Sequence, residues 1–228
     1  MKFFQLANVG IAMLFVSAAR ADETVGRPLV DGTLDGWVQR GGAAKYRLED
    51  GQVVGTSVPN TSNSFLCTKK DYGDFILTLE FKVAPTLNSG IQIRSQVFDK
   101  PQTFEQDGKQ KTIPAHRVHG YQVEIDPSDR AWTAGIYDEG RRGWLNDLKE
   151  NEPARRAFRQ GEWNALRVEC RGDSIKTWLN GVPAADLKDG LTPKGFIALQ
   201  VHGVGDRREP LEVRWRDLRI QELAPTGG

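Results

Sequence analysis

Three separate stretches of the chain alternate between apolar residues and polar residues that can each form several hydrogen bonds. In a β-strand, residues i and i+2 point to the same face, so each stretch would present its polar groups together. Amides donate and accept, a guanidinium offers a planar fork of donors, and carboxylates accept hydroxyl protons. Such a set suits a ligand that is rich in hydroxyl groups. The polar residues are Gln92 and Arg94, then Gln122, Glu124 and Asp126, then Gln200 and His202.

These residues form one site only if their three strands are neighbours in one sheet. The alternative is three unrelated strands whose polar faces meet solvent, and the alternation alone does not separate the two. Tryptophans near the set would add platforms for a sugar ring, although a Trp in a β-sandwich belongs more often to the core. Trp37 and Trp215, near the two ends of the domain, are assigned to the core. The candidate platforms are Trp132, Trp144, Trp163 and Trp178.

The elements that must position this set are short β-strands. Along most of the chain, apolar residues recur with period two, Gly, Pro, Asn and Asp separate the runs, and helical periodicity is nearly absent. Gly172-Asp173 and Asn180-Gly181 are typical of hairpin turns, so 162–185 is predicted to be an antiparallel meander. Many antiparallel strands without interleaved helices predict an all-β, two-sheet sandwich. The strands are expected near 36–39, 45–48, 52–57, 64–68, 74–84, 90–97, 119–126, 133–138, 162–171, 174–179, 182–185, 195–202 and 211–221.

Two longer stretches, 98–117 and 141–160, lack a strand pattern and are predicted to be irregular excursions that rim one end or face of the sandwich. The composition is that of a folded globular domain, with 39% hydrophobic and 27% charged residues, and a single domain is expected over 25–222. Lys and Arg number 31 against 30 Asp and Glu. Because there is no basic excess to neutralise phosphates, nucleic acid is not expected as a partner.

Residues 1–21 have the pattern of a secretory signal peptide. An apolar stretch runs from Leu6 to Ala19, and Ala19-Arg20-Ala21 is a small-residue cleavage site followed by acidic residues. The stretch is too short for a lasting membrane span, and an uncleaved N-terminal anchor is the alternative. The processed protein is therefore expected to be periplasmic or secreted, with no stable membrane span.

The two cysteines, Cys67 and Cys170, lie in predicted strands that are far apart in sequence. An oxidising compartment would let them form a disulfide if the fold brings their Cα atoms to about 5.5 Å. Equally, they fit two separately buried thiols that act as small apolar residues. Neither interpretation suggests a metal site or a thiol nucleophile.

Seven sequence blocks follow one another along the chain. They are Asp31 to Trp37, Tyr72-Gly73-Asp74-Phe75 leading to Asn88-Ser89-Gly90-Ile91, Gly120 to Asp126, Gly161-Glu162-Trp163-Asn164, Trp178-Leu179-Asn180-Gly181, Gly195 to Gly203, and Val213 and Trp215 with Leu218-Arg219-Ile220. In this order the blocks resemble the 3-keto-disaccharide hydrolase domain family. The resemblance implies a concanavalin A-like (lectin/glucanase) jelly roll that is exported and acts on carbohydrate. It agrees with the two-sheet sandwich predicted from the strand pattern.

The resemblance also implies activity on 3-keto-glycosides. A ketone at C3 acidifies the C2 proton, so a general base can remove it, the glycosidic oxygen at C1 can leave by β-elimination, and water can add to the enone. Glu124 and His202 fall in family motif positions and are expected to act as the base and as the proton donor to the leaving oxygen. Arg94 or a divalent ion would hold the enolate oxygen. The expected substrate-binding residues are Asn88, Gln92, Arg94, Gln122, Asp126, Gln200 and Trp178.

One departure from the family pattern concerns metal binding. Members often have Asp-His-Gly where this chain has Val201-His202-Gly203, so a carboxylate beside the imidazole is missing. Glu124, Asp126 and His202 would still be a chemically sensible ligand set for Mn²⁺ or Zn²⁺. A divalent metal ion is therefore left open, and no other cofactor is predicted.

Three classes of function fit these observations. The first is an exported enzyme that cleaves 3-keto-glycosides by elimination, or by hydrolysis in which Glu124 pairs with a second acid. The second is a non-catalytic sugar-binding module with Trp178 or Trp144 as its platform. The third is an envelope structural protein without a small-molecule site. A carbohydrate is the expected partner in the first two classes, and no oligomeric state is predicted.

Overall fold

A computed structural model describes residues 26–106 and 108–224. The predicted signal peptide, 1–21, lies outside the described residues. No helix in the described part of the chain is long and apolar enough to cross a membrane. The elements, in chain order, are β1 (Arg27–Pro28), β2 (Trp37–Gly41), β3 (Lys45–Glu49), β4 (Gln52–Thr56), β5 (Ser64–Tyr72), β6 (Phe75–Val83), β7 (Ser89–Gln96), β8 (Gln102–Gln106), β9 (Lys109–Ile113), β10 (His119–Ile125), β11 (Ile136–Glu139), β12 (Gly143–Asn146), α1 (Glu152–Ala157), β13 (Asn164–Arg171), β14 (Ser174–Leu179), β15 (Val182–Lys188), β16 (Gly195–Val201) and β17 (Glu212–Glu222).

Two large antiparallel sheets contain most of these strands. The first has the order β15-β14-β13-β6-β17-β4-β3, with β1 paired to β17, and the second has the order β12-β11-β10-β7-β16-β5-β2. Each of the predicted strands coincides with a strand of one of these sheets. The prediction of an all-β, two-sheet jelly-roll sandwich is therefore confirmed.

One large hydrophobic core is shared by the two sheets. Leu77 and Phe81 of β6 in the first sheet, and Ile91 of β7 and Val123 of β10 in the second, belong to the same cluster of buried side chains. Their neighbours along each strand point away from this cluster, because successive side chains of a strand alternate between faces. Trp215 is fully buried in the same cluster, as predicted. The inner faces of both sheets are therefore filled by core side chains, and a ligand site must lie elsewhere.

The predicted meander is confirmed, and its turns have the expected backbone geometry. Asn180 and Gly181, between β14 and β15, have φ values of 50° and 82°. Positive φ at both central residues is what the tight turn of a two-residue hairpin requires. Gly172, between β13 and β14, has a φ of 56°. These turns hold β13, β14 and β15 in register at one edge of the first sheet.

The two stretches predicted to be irregular contain short regular elements. The first includes the hairpin β8–β9, which pairs with neither large sheet, and the second includes β12 and α1. The hairpin escaped prediction because its strands are mostly exposed and show no apolar alternation. The helix spans six residues, too few for a helical period, and begins where the Asn151 side chain accepts a hydrogen bond from the Ala154 N–H.

The two cysteines are free, buried thiols in different sheets. Cys170 belongs to the core between the sheets, whereas Cys67 packs with Phe65, Phe196 and Ala198 in a separate, smaller apolar cluster. Burial raises the pKa of each thiol to about 12. Of the two interpretations left open by the sequence, the structure therefore supports separately buried, unreactive thiols.

Candidate functional site

The three strands that present alternating polar residues are neighbours in the second sheet. β7 lies between β10 and β16, with Gln122 opposite Gln92 and with both Glu124 and Gln200 opposite Gly90. The apolar partners Tyr121, Ile91 and Leu199 are buried in the core. Gln92, Gln122, Glu124 and Gln200 therefore share the outer face of one sheet, as the sequence predicts for adjacent strands.

A polar cavity of about 390 Å³ opens on this face. Its volume falls within the usual range of small-molecule sites. Four of the predicted site residues line it: Asn88, Gln122, Glu124 and His202. The remaining lining residues are Asn63, Arg117, Arg130, Tyr137, Glu139 and Trp144.

Glu124 is a buried acid of this cavity, with 5% of its surface exposed. One carboxylate oxygen, Oε1, accepts a 2.6 Å hydrogen bond from Nδ2 of Asn88, and the other, Oε2, accepts a 2.7 Å bond from Nε2 of Gln122. Burial raises the pKa of Glu124 above its ordinary value, although the two amide donors oppose that shift. The result is an oriented carboxylate that is a stronger base than an exposed glutamate.

Gln122 is itself fixed by two other glutamines. Its Oε1 accepts hydrogen bonds from Nε2 of Gln92 at 2.5 Å and from Nε2 of Gln200 at 2.8 Å. Its Nε2 is therefore turned toward Glu124. Gln92 and Gln200 are fully buried and do not line the cavity. The sequence predicts that these two residues bind substrate; in the structure they lie beneath the cavity wall and position Gln122.

Gly90 makes room for this arrangement. A Cβ atom added at Gly90 would lie 2.6 Å from Cδ and Cγ of Gln122, well inside van der Waals contact. Any larger residue would displace the amide that holds Glu124. The φ of Gly90 is not positive, so its backbone conformation does not require a glycine. The close approach of the Gln122 side chain is what requires a glycine in the Asn88-Ser89-Gly90 block.

Asp126 also lies behind the cavity wall. Its Oδ1 accepts a 2.6 Å hydrogen bond from Oγ of Ser128, and its Oδ2 accepts a 2.7 Å bond from Nε of Arg130. Burial acts to raise the pKa of Asp126, but these bonds hold it below the ordinary value. Asp126 is therefore an ionised anchor for Arg130, whereas the sequence predicts that it binds substrate, and it does not line the cavity.

His202 follows the end of β16 and stands at the mouth of the cavity with an exposed side chain. Its Nδ1 lies 2.8 Å from the carbonyl oxygen of Gly203, and the Gly203 N–H donates to Oδ1 of Asn63 at 3.0 Å. With Nδ1 as the donor in this contact, Nε2 is free to carry or accept a proton. Glu124 and His202 thus reach one cavity from two strands of the same sheet.

Arg94 is not part of this site. The strand β7 has a register irregularity between Ile93 and Gln96, and Arg94 itself has a φ of 45°. A bulge of this kind shifts the alternation of side chains by one residue. Arg94 consequently points away from the cavity, fully buried, and donates to the carbonyls of Gly73 and Gly172 and to the Asp74 carboxylate. Its predicted role in substrate binding is corrected to a structural one.

Trp178 is also misplaced by the sequence prediction. It lies on β14 of the first sheet, where the guanidinium carbon of Arg167 stacks 4.3 Å from its ring centroid. The site lies on the second sheet, so Trp178 cannot be its platform. Trp144 of β12 is the tryptophan that lines the cavity. It packs edge-to-face against Trp132 and Tyr137.

The functional residues that the sequence analysis missed come mainly from the edge of the second sheet. Arg117 precedes β10 and pairs with Glu139 of β11 at 2.6 Å. Arg130 lies in the loop between β10 and β11, against the rings of Trp132 and Trp144. Arg130 stands two residues before Trp132, but nothing in the spacing of either arginine indicated that its side chain turns toward β10.

The predicted metal ligands do not come together as a set. Among the described residues, no three His, Cys, Asp or Glu side chains are grouped so that they could hold a metal ion. Both carboxylate oxygens of Asp126 are already engaged by Ser128 and Arg130. Glu124, Asp126 and His202 therefore do not fit a metal centre in this arrangement.

The structure defines an antiparallel β-sandwich with a polar cavity on the outer face of one sheet, and comparison with known families adds its family. A model of the 3-keto-alpha-glucoside-1,2-lyase-like domain matches residues 26–221, and the chain belongs to this family. The resemblance predicted from the sequence blocks is thereby confirmed. No curated protein has a sequence that matches the chain.

Solved structures share the fold at low sequence identity. The carbohydrate-binding module CBM66 from Bacillus subtilis superimposes with a TM-score of 0.57 and 15% identity, over 82% of this chain and 96% of that one. A candidate glycosyl hydrolase from Parabacteroides distasonis gives 0.52 and 17%, over 83% and 89%. A galectin-like protein of unknown function from Bacillus subtilis gives 0.55 and 13%, over 83% and 90%. At these identities the likeness establishes the sandwich fold alone.

Proposed function

We propose that this protein is an enzyme that cleaves the glycosidic bond of 3-keto-glycosides, including 3-keto-disaccharides, by base-initiated elimination followed by hydration. The observation that carries the proposal is the placement of Glu124: a buried carboxylate, oriented by the amides of Asn88 and Gln122, that lines a polar cavity. Membership of the 3-keto-alpha-glucoside-1,2-lyase-like family indicates the substrate class.

In the proposed reaction, Glu124 removes the proton from C2 of the keto sugar. The electron pair of the C2–H bond forms an enolate with the C3 carbonyl, and the enolate then expels the oxygen at C1 to leave an enone. His202 protonates the departing oxygen, which requires its Nε2 to face the aglycone side of the cavity. Addition of water to the enone places hydroxyl at C1 and hydrogen at C2. A positioned acid or base of this kind contributes about 10²- to 10⁴-fold in rate.

The raised pKa of Glu124 suits this role. The C2 proton next to a ketone is far less acidic than a carboxylic acid, so a more basic carboxylate lessens the uphill proton transfer. The burial that raises the pKa also removes competing water from the carboxylate. The amides of Asn88 and Gln122 prevent the side chain from rotating away from the sugar.

Residues 1–21 support a proposal about location. Their signal-peptide pattern would direct the enzyme out of the cytoplasm, so that the processed protein acts in the periplasm or is secreted. N-terminal sequencing of protein recovered from the envelope tests this point, because an intact N-terminus would contradict it.

A second chemical route has one observation in its favour. Glu139, a nearly buried carboxylate paired with Arg117, lines the same cavity as Glu124. Two carboxylates are what ordinary glycoside hydrolysis requires, one as acid and the other as base or nucleophile. In that route an unoxidised glycoside would serve as substrate. The elimination route instead requires the ketone.

A non-catalytic sugar-binding module is the alternative from a different class. The fold shared with a carbohydrate-binding module and the ring of Trp144 in the cavity favour it. Purified protein should therefore be incubated with a panel of 3-keto-disaccharides, with and without a chelator. Turnover that disappears in Glu124→Gln while binding persists supports the enzyme, and binding without turnover in the unmodified protein supports the module.

A further inference from the structure

Elimination places negative charge on the oxygen at C3, and a cation is needed to stabilise that charge. Arg94 cannot do so, because it is buried between the sheets on Asp74 and two carbonyls. We infer that Arg130 is the group that binds the C3 carbonyl oxygen and stabilises the enolate. The inference rests on the proposed function and adds a third catalytic residue to it.

The separation of Arg130 from Glu124 fits the geometry of the reaction. Nη2 of Arg130 lies 3.7 Å from Oε1 of Glu124. This distance is too long for a hydrogen bond, so the guanidinium keeps N–H groups available for a ligand. The proton that the base removes and the oxygen that becomes charged sit on adjacent carbons, C2 and C3. A base and an oxyanion donor must therefore be close neighbours, as these two side chains are.

The guanidinium is held in place on its other sides. Nε donates to Oδ2 of Asp126 at 2.7 Å, and Cζ lies 4.8 Å from the ring centroid of Trp132 and 5.0 Å from that of Trp144. The aromatic faces attract the cation without consuming its donors. Arg130 remains 41% exposed and lines the cavity. A donor fixed before the substrate arrives costs little reorganisation when charge develops.

The loop that carries Arg130 is strained in a way that points to function. Ala131 and Ala134 have φ values of 55° and 73°, a region that alanine rarely adopts. The conformation is maintained by Thr133, whose Oγ1 accepts from the Asp126 N–H at 2.9 Å and donates to the Asp126 carbonyl at 3.0 Å. Strain of this kind persists where surrounding contacts enforce it, and it clusters at active sites.

The other cation of the cavity wall is less suited to this role. Nη2 of Arg117 is engaged by Oε1 of Glu139 at 2.6 Å. No contact joins Arg117 to Glu124 among the described hydrogen bonds and ion pairs. Arg117 is therefore placed to hold Glu139 rather than the oxygen next to the abstracted proton.

The assigned step balances without any further reactant. Glu124 takes the C2 proton, the C–H electron pair becomes the C2=C3 bond, and the carbonyl π pair moves to O3, which the Arg130 N–H groups then bind. The enolate pair next forms C1=C2, the C3 carbonyl returns, and the C1–O bond breaks toward the oxygen that His202 protonates. Arg130 stays positively charged throughout.

The test compares Arg130→Gln and Arg130→Lys with the unmodified protein on a 3-keto-disaccharide. Loss of a donor to a developing oxyanion lowers kcat by about 10²- to 10³-fold, so that loss is expected for Arg130→Gln, with KM changed only a few-fold. Arg130→Lys keeps the charge but loses the fork, and its rate should fall between the two. The matched control is Arg167→Gln, since Arg167 also stacks on a tryptophan and pairs with a glutamate, but on the other sheet.

A second readout separates enolate formation from departure of the aglycone. In deuterated water the protein should exchange the C2 proton of 1,5-anhydro-3-ketoglucitol, which carries no aglycone. Arg130→Gln should lose this exchange in proportion to kcat, and His202→Ala should keep it. Melting temperatures measured alongside identify any variant that has lost its fold. If Arg130→Gln does not fold, the rates of Arg130→Lys decide whether Arg130 stabilises the enolate.

The outcomes distinguish this inference from the function on which it rests. If the unmodified protein neither cleaves 3-keto-glycosides nor exchanges C2 protons, the proposed function fails, and the role of Arg130 fails with it. If the unmodified protein is active and folded Arg130→Gln or Arg130→Lys is as fast, the role of Arg130 alone is overturned. Parallel loss of kcat and C2 exchange, with Arg167→Gln unaffected, supports both.

Discussion

Nδ2 of Asn88 donates to Oε1 of Glu124 over 2.6 Å, although the two residues are 36 positions apart in the chain. Asn88 ends the loop before β7, and Glu124 lies near the end of the neighbouring strand β10. The bond therefore depends on the pairing of these two strands. It fixes the carboxylate rotamer and stabilises its charged form, while burial acts in the opposite direction.

Asn88→Ala should change the pH dependence of catalysis. The Asn88 amide lowers the pKa of Glu124, so its removal should raise that pKa further above the ordinary value. A general base must be deprotonated, and activity is lost as the pH falls through its pKa. The acid limb of kcat/KM should therefore move to higher pH in Asn88→Ala. Carboxyl NMR titration of Glu124 in both proteins checks the assignment, and an unmoved limb would contradict it.

Gly90→Ala should damage the site without touching a reacting group. The added methyl group would meet the side chain of Gln122 at 2.6 Å and push its amide away from Glu124. We expect kcat to fall about tenfold, the cost of roughly one hydrogen bond to a charged group. Gly36→Ala is the control, because Gly36 does not have a positive φ and a Cβ there has open space. Full activity in Gly90→Ala would show that Gln122 does not orient the base.

The faces of the alternating strands could be predicted from the sequence wherever the strand is regular. Tyr121 and Leu199 point to the core, and Glu124 and His202 to the cavity, because period two in an unbroken strand fixes the face of every side chain. Arg94 escaped this rule, since the bulge in β7 reverses the alternation beyond Ile93 and leaves no mark in the hydrophobic pattern.

Residues outside regular strands were harder to assign. Arg130 reaches the cavity through a loop whose strained backbone is held by Asp126 and Thr133, contacts that only the folded chain brings together. Trp144 and Trp178 have similar local sequence character, yet they lie on strands of opposite sheets. Sheet membership is set by long-range pairing, so the sequence could not choose between them.

Trp144→Ala and Trp178→Ala are a matched pair of variants that tests which of the two sheets carries the site. Trp144 lines the cavity and supports the guanidinium of Arg130, so its loss should lower kcat/KM by about tenfold, on the scale of one aromatic or cation–π contact. Trp178→Ala should leave kcat/KM within about twofold, because Trp178 stacks on Arg167 on the other sheet. A larger effect at Trp178 than at Trp144 would mean that the site lies on the first sheet.

Arg94→Met should affect stability and spare chemistry. Arg94 is fully buried and engages Asp74 and two backbone carbonyls, and breaking a buried pair typically costs about 3–5 kcal/mol. The control is Arg216→Met, whose partner Glu80 is partly exposed and whose loss should cost about 1 kcal/mol or less. Urea unfolding gives both values. If Arg94→Met loses activity without losing stability, its structural assignment is wrong.

The central claim is that Glu124 abstracts a proton next to a ketone, and a labelling experiment in deuterated water tests it most directly. Matched 3-keto and unoxidised disaccharides are incubated with the protein and with Glu124→Gln, and the products are analysed by NMR and mass spectrometry. We predict cleavage of the keto sugar alone, deuterium at C2 of the released keto sugar, and a rate at least about 10²-fold lower in Glu124→Gln. Equal cleavage of both sugars, or a product without deuterium at C2, would contradict the elimination mechanism.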